Sequence, residues 1–146
     1  MLKVKIAENQ LEKEQAFDVR RKVFVEEQQV PIHIEMDEYD DSAIHFVGYQ
    51  LAQPIAAGRI REVESGLGKV ERVCVLSEYR GQQLGVMMMN EMEEYARAHG
   101  LYRLKLNAQT HALAFYEKLG YEITSDEFMD AGIPHKSMEK VVAGLM

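Results

Sequence analysis

Between residues 69 and 106 the hydrophobic period of this chain changes twice, and that double switch restricts its fold more than any other feature. Residues 69–76 (KVERVCVL) are rich in β-branched and apolar side chains and read as a strand. Strand propensity collapses at Ser77-Glu78-Tyr79-Arg80-Gly81, and a helix follows from about Gln83. There Leu84, Met88, Met92 and Ala96 recur at every fourth position until Gly100, a left-handed cap. Beyond it Tyr102, Leu104 and Leu106 alternate with Arg103 and Lys105, so the period returns to two. Such a strand–helix–strand unit packs a helix onto a sheet and excludes all-α and all-β architectures.

The flanking sequence adds hairpins. Leu2, Val4 and Ile6 alternate as a first strand, and residues 11–27 form an amphipathic helix closed by Pro31. The acidic stretch 35–42 is expected to be a loop. Residues 45–50 and 55–63 are strands joined by a turn at 52–54, and 65–68 turns the chain into the strand already described. Ala112, Phe115, Tyr116 and Leu119 mark a short helix ending at Gly120, and 121–124 and 137–142 supply the last strands. The expectation is one α/β domain over residues 1–146, with a mixed, mostly antiparallel central sheet and flanking helices.

Composition narrows the function. A net charge of −7 argues against general nucleic-acid binding. No apolar run approaches the roughly 18 residues of a membrane span, and residues 1–6 lack a signal-peptide block, so a cytoplasmic protein is expected. The five histidines show no metal-type spacing, and no metal site is expected. The one cysteine, Cys74, lies in an apolar run and reads as a small buried residue rather than a nucleophile. Met87, Met88 and Met89 read as core packing with one partly exposed position.

Chemistry enters at the turn 80–86. Free backbone N–H groups of a first helical turn, with the helix dipole, form an anion site, and glycines let a phosphate approach closely. Arg80 can add a charge-assisted contact. The glycine spacing fits neither the P-loop nor the dinucleotide fingerprint, and strand-to-helix connections are common in every α/β protein.

The segment resembles the pyrophosphate motif of the GNAT superfamily of N-acetyltransferases, Arg/Gln-x-x-Gly-x-Gly/Ala. Arg80 and Gly85 match its ends, whereas Gln83 stands at the middle glycine. Downstream, Ala112, Phe115, Tyr116, Gly120 and Tyr121 match the second signature of that superfamily, with Gln109 in place of its asparagine. The likeness spans essentially the whole chain. Within the superfamily the chain looks similar to bacterial ElaA-type proteins through Val19-Arg20, Val23-Phe24-Val25, Glu27-Gln28, Pro31 and Gly132-Ile133-Pro134-His135.

The resemblance implies the GNAT acyl-CoA N-acyltransferase fold, with a splayed strand pair beside the cofactor. It implies direct acetyl transfer from acetyl-CoA to an amine. The acceptor itself is not readable from the sequence: a polyamine, an amino acid, an aminoglycoside and a protein N-terminus all stay open, with a small molecule the expectation. Cofactor contacts are expected at Val73, Val75, Arg80, Gly81, Gln82, Gln83, Leu84, Gly85, Val86, Asn107 and Tyr116. Tyr116 is the expected acid toward the CoA thiolate, and His135, in a Gly-Ile-Pro-His loop, the expected base, with Glu71 in reserve. Glu71-Arg72 should face opposite sides of a strand unless a bulge intervenes, so that one faces the acceptor site, and Arg72 is the expected substrate anchor. Arg20, Glu27 and Gln28 would cover the acceptor site, the acidic loop 35–41 leans toward a cationic acceptor, and a homodimer stays open. Two alternatives accompany this reading: a non-catalytic acyl-CoA sensor, and an enzyme like the acyl-homoserine lactone synthases, whose front half is similar in Arg21-Lys22-Val23-Phe24 and residues 35–40.

Overall fold

The structure is a computed structural model and describes residues 2–143. In chain order it contains β1 (Leu2–Ile6), α1 (Gln10–Arg20), which continues as a π-helical segment over Arg21–Glu27, α2 (Ile32–Glu35) and a 3-10 turn at Glu38–Asp41. There follow β2 (Ile44–Gln50), β3 (Gln53–Glu64), β4 (Leu67–Val75), α3 (Leu84–Ala98) and β5 (Arg103–Gln109). The last elements are α4 (Leu113–Lys118), β6 (Glu122–Ile123), β7 (Phe128–Asp130) and β8 (Ile133–Val141). The sheet is mixed and mostly antiparallel, with one parallel pair and flanking helices, as the period switches require.

The chain forms two compact units, Met1–Arg61 with Arg72–Met92, and Glu62–Glu71 with Glu93–Met146. In the first, β1 and β2 pair antiparallel from Leu2↔Gln50 to Ile6↔Phe46, and β3 pairs antiparallel with β2. The β2–β3 register slips between Gly48 and Tyr49. Two glycines explain how α3 packs on this sheet. A Cβ at Gly48 would lie 3.2 Å from the Met88 sulfur, and one at Gly58 3.0 Å from the Met92 sulfur. The helix therefore approaches on methionines four apart, each seated over a residue without a side chain. Met88, Met89 and Met92 are fully buried and Met87 is half exposed, as the sequence suggests.

In the second unit β4 and β5 form the parallel pair, with Leu67↔Arg103 through Val70↔Leu106 in register. β5 and β8 are antiparallel from Arg103↔Val141 to Gln109↔His135, and both β6 and β7 pair with β8. The buried carboxylate of Glu93, on α3, accepts from the Tyr121 hydroxyl at 3.0 Å and from Lys140 Nζ at 2.9 Å. Burial and the Glu93 carboxylate raise the Tyr121 pKa, which keeps its hydroxyl a neutral donor.

Three local expectations change. The stretch 35–42 is not an open loop: α2 ends in it, and Asp37 caps the 3-10 turn through a reciprocal capping box with Asp40. The helix over 11–27 exists, but beyond Arg20 it widens, and the Gln28 N–H reaches back five residues to the Val23 carbonyl. Finally, β8 begins at Ile133 rather than near 137, and the short strand β7 precedes it, so His135 lies within a strand and not in a loop.

Candidate active site

The cofactor turn is built by backbone conformation. Past β4, a 3-10 turn at Ser77–Tyr79 leads to an extended Arg80, after which Gly81 and Gln83 are both left-handed (φ +81° and +62°) before α3 starts at Leu84. A Cβ at Gly81 would meet nothing within 4 Å, so glycine is favoured there by its φ and not by space. At Gln83 the chain accepts the same strained region with a full side chain, at the position where the superfamily motif has its glycine. Gly81, Gln82 and Gln83 are exposed, while Leu84 turns into the core.

Arg80 is already occupied. Its Nη1 and Nη2 donate to the two Glu27 carboxylate oxygens at 2.6 and 2.7 Å, and its Nε donates to the Val75 carbonyl at 3.0 Å. Three expected site residues, assigned to two different ligands, thus meet in one cluster. The hydrogen bonds from Arg80 hold the Glu27 carboxyl below its usual range, against a small opposing effect of burial.

Arg72 marks a break in β4. Its φ of +61° interrupts the alternation, the bulge-like irregularity that the sequence leaves open. The guanidinium reaches the 32–41 segment: Nε lies 3.0 Å from Glu35 Oε1, and Nη2 donates to Asp37 at 3.1 Å and to the Ile34 carbonyl at 3.3 Å. Glu71 pairs with Lys69 two residues back, at 3.3 Å.

Arg72 is one corner of an ion network that sequence reasoning only half found. Arg20 donates to both Glu35 carboxylate oxygens at 3.2 and 3.1 Å and to Asp40 at 2.7 Å. Arg59 grips Asp37 through two bonds of 2.7 and 2.8 Å and reaches Asp40 at 2.7 Å. Arg20, Arg59 and Glu35 have essentially no exposed surface. Three cations face three anions, so Glu35, Asp37 and Asp40 of the acidic stretch are matched from within, while Glu38 and Asp41 are exposed. Arg20, expected at the acceptor site, is buried and bonded to Glu35 and Asp40 of the segment 32–41. Burial would raise the Asp40 pKa, but hydrogen bonds and charge from Arg20 and Arg59 bring it down to about 2. Glu35 moves the other way, raised by its deeper burial in spite of Arg20. His45 joins at the edge, donating from Nε2 to the Asp40 carbonyl at 2.8 Å, with burial lowering its pKa. Arg59 carries no alternation in the sequence because its neighbours are all buried; a lone arginine inside the apolar run 55–60 is its one signal.

In the second unit Tyr116 sits on α4, half buried, with its ring edge-on to Phe115 at 4.9 Å and to Tyr121 at 5.9 Å. His135 is 8% exposed and not the solvent-facing side chain that a loop would give. Its Nδ1 lies 2.7 Å from the Ile133 carbonyl and its ring stacks on Phe128 at 6.0 Å. A carbonyl only accepts, so Nδ1 carries the proton and a neutral ring presents Nε2 as a lone-pair acceptor. Asn107 accepts from the Ser137 hydroxyl at 2.8 Å, and Gln109 is paired with His111 at 2.6 Å. Gln28 closes the π-helical segment. No metal-type cluster of His, Cys, Asp or Glu occurs among the described residues. Likewise, no helix among them is long and apolar enough to cross a membrane.

Comparison with known proteins identifies the family. The family model for the acetyltransferase (GNAT) domain matches residues 7–142. The chain is 44% identical over 140 residues to a Bacillus subtilis (strain 168) protein named uncharacterized N-acetyltransferase YjcF, covering 95% of this chain and 99% of that one. Escherichia coli ElaA superposes with a TM-score of 0.86 over 96% of this chain and 99% of its own, at 23% identity. The likeness to ElaA is therefore one of fold, and in sequence the chain stands nearer to YjcF. An aminoglycoside 6'-N-acetyltransferase complexed with coenzyme A superposes with a TM-score of 0.76 at 16% identity, over 100% of this chain and 99% of that one. The chain belongs to the GNAT family and is an acetyl-CoA-dependent N-acetyltransferase.

Proposed function

We propose that the chain works as a single cytoplasmic domain that transfers acetyl directly from acetyl-CoA to the amine of a small molecule. The observation that carries this reading is the exposed turn with left-handed Gly81 and Gln83 ahead of the fifteen-residue helix α3. It leaves first-turn N–H groups at Leu84, Gly85 and Val86 for the CoA pyrophosphate, as at other helix N-termini. Arg80, Gly81, Gln82 and Gln83 line the same turn, and Val73 and Val75 offer backbone groups to acetyl-pantetheine. Asn107 completes the cofactor contacts.

The chemistry then needs a base for the ammonium, donors for the tetrahedral oxyanion and a proton for the departing thiolate. His135 serves as base through Nε2, because Nδ1 is tied to the Ile133 carbonyl. Glu71 is the reserve base. Tyr116 returns a proton to sulfur, and an N–H at Val73 to Val75 stabilises the oxyanion. Arg72 and Arg20 act on the acceptor through the segment 32–41, which they hold, with Glu27 and Gln28 at the helix end beside it. Holding amine and thioester together supplies much of the remaining acceleration.

The test is calorimetry with acetyl-CoA, run beside thiol release over a panel of polyamines, amino acids and aminoglycosides. Binding together with amine-dependent release is expected. Absence of acetyl-CoA binding would sink the reading, and binding without release on any amine would favour a sensor.

A further inference from the structure

The Arg80–Glu27 pair joins residues 53 apart in sequence and stands in the cofactor turn itself. The carboxylate lies end-on against the guanidinium, with two parallel bonds of 2.6 and 2.7 Å. That fork geometry is the one by which arginine also grips a phosphate. The third bond, from Nε to the Val75 carbonyl at 3.0 Å, fixes the plane of the guanidinium against the end of β4. Three of its five N–H groups are thereby used, and the face that suits a diphosphate is filled by Glu27.

The local field also opposes an anion. Glu78 lies in the same turn and bonds the Ser77 hydroxyl at 3.1 Å, so two carboxylates stand against one guanidinium. Lys22 offers little relief, since its ammonium pairs with Asp18 at 3.1 Å. Glu27 moreover ends its helical segment, where the dipole disfavours a carboxylate and no basic residue lies in the last turn. Arg80 is what holds it there. Both side chains are 42% exposed, and an ion pair so open to water is weak enough to be exchanged.

We propose that Glu27 is an exchangeable counter-ion of Arg80, which a diphosphate oxygen pair of CoA displaces on binding. This rests on the reading of the 80–86 turn as the pyrophosphate site. Glu27 thus tunes cofactor affinity by acting through Arg80, as a positioning residue and without touching the reacting atoms. The guanidinium is held in position before the cofactor arrives, and the diphosphate trades places with a weaker anion instead of ordering a loose side chain.

Titration calorimetry with free CoA, at low and moderate salt, on wild type, Glu27→Gln, Glu27→Asp, Arg80→Ala and the Glu27→Gln/Arg80→Ala double variant tests this. Glu27→Gln should bind CoA about two- to fivefold more tightly, the range set by removing one exposed ion pair, and should lose affinity more steeply as salt is added. Glu27→Asp, which keeps the carboxylate, should stay near wild type. Pantetheine, which lacks the diphosphate, should bind Glu27→Gln and wild type alike. In the Arg80→Ala background the gain from Glu27→Gln should shrink or vanish. Thermal melting checks that every variant is folded. If Arg80→Ala weakens CoA but Glu27→Gln leaves it unchanged or weakens it, the exchange is refuted while the pyrophosphate site stands. If Arg80→Ala does not alter CoA binding, the assignment of the turn and the exchange fall together.

Discussion

Two clusters in the first unit use the same chemistry, arginine against carboxylate, and come to opposite ends. Arg20, Arg59 and Arg72 meet Glu35, Asp37 and Asp40 in a mostly buried network, with Arg20, Arg59 and Glu35 fully enclosed and only Arg72 and Asp37 about a quarter exposed. Arg80 meets Glu27 with both side chains 42% exposed. Breaking one partner out of a buried pair strands a charge at roughly 3–5 kcal/mol, whereas an exposed pair is worth about 0–1 kcal/mol. The difference teaches that bond length says little about strength: the exposed pair has bonds of 2.6 and 2.7 Å, as short as any in the buried network. Desolvation decides. The enclosed cluster is suited to fixing the segment 32–41, and the open one to exchanging partners.

The contrast can be broken from either side. The largest effect is expected from Arg59→Met, which leaves Asp37 and Asp40 without their shared cation and should lower stability by roughly 3–5 kcal/mol in urea unfolding. A loss below about 1 kcal/mol would mean that the network behaves like a surface pair. At the exposed end, Gly85→Glu should weaken CoA roughly 100-fold or more in calorimetry by removing two or so charge-assisted N–H contacts. Its melting temperature should hardly move, because a carboxylate in a first helical turn suits the dipole. Retained CoA affinity would show that the turn is not the pyrophosphate site.

A smaller effect is expected on the acid limb. Asp40, with its pKa brought to about 2 against an ordinary value near 4, contributes stability that is full above about pH 4 and is lost as pH falls through 2. Asp37 is shifted the same way, its burial outweighed by Arg59. Glu35, raised by burial, works in the opposite sense: its contribution is full at low pH and fades as pH rises through its folded value. Unfolding curves between pH 2 and 7 should therefore show a net acid loss that Arg59→Met flattens and Glu27→Gln does not. The smallest change is Gln83→Gly. Removing a side chain from a φ of +62° should stabilise the fold by about 0.5–1 kcal/mol, read as a small rise in melting temperature.

Much of the fold was legible because the relevant signals are local. The strand–turn–helix–strand run from β4 to β5 follows from periodicity alone, and the four-residue repeat of Leu84, Met88, Met92 and Ala96 is the buried face of α3. What escaped depends on distant partners. The segment 32–41 has weak propensity of its own and is held by Arg20, Arg59 and Arg72, which arrive from other elements. Arg20 looks like helix surface in sequence because its partners lie 15 and 20 residues away. β3 is buried on both faces from Ile55 to Ile60, so no alternation marks Arg59. β7 has only three residues, and Pro134 hides the start of β8, although it pairs opposite Met129. The hairpin turn before β3 is closed by Leu51 and Ala52, both left-handed, with none of the Asn-Gly chemistry that usually announces one.

Cys74 carries a consequence of a different kind. It lies between Val73 and Val75, is 6% exposed, and burial pushes its thiol up to about 12. At neutral pH a disulfide reagent finds no thiolate on the folded chain, so the colour it develops during turnover counts CoA alone. The slow labelling that remains must wait for β4 to open, which makes the one sulfhydryl of this enzyme a clock for the breathing of its central strand. Bound CoA should slow that clock.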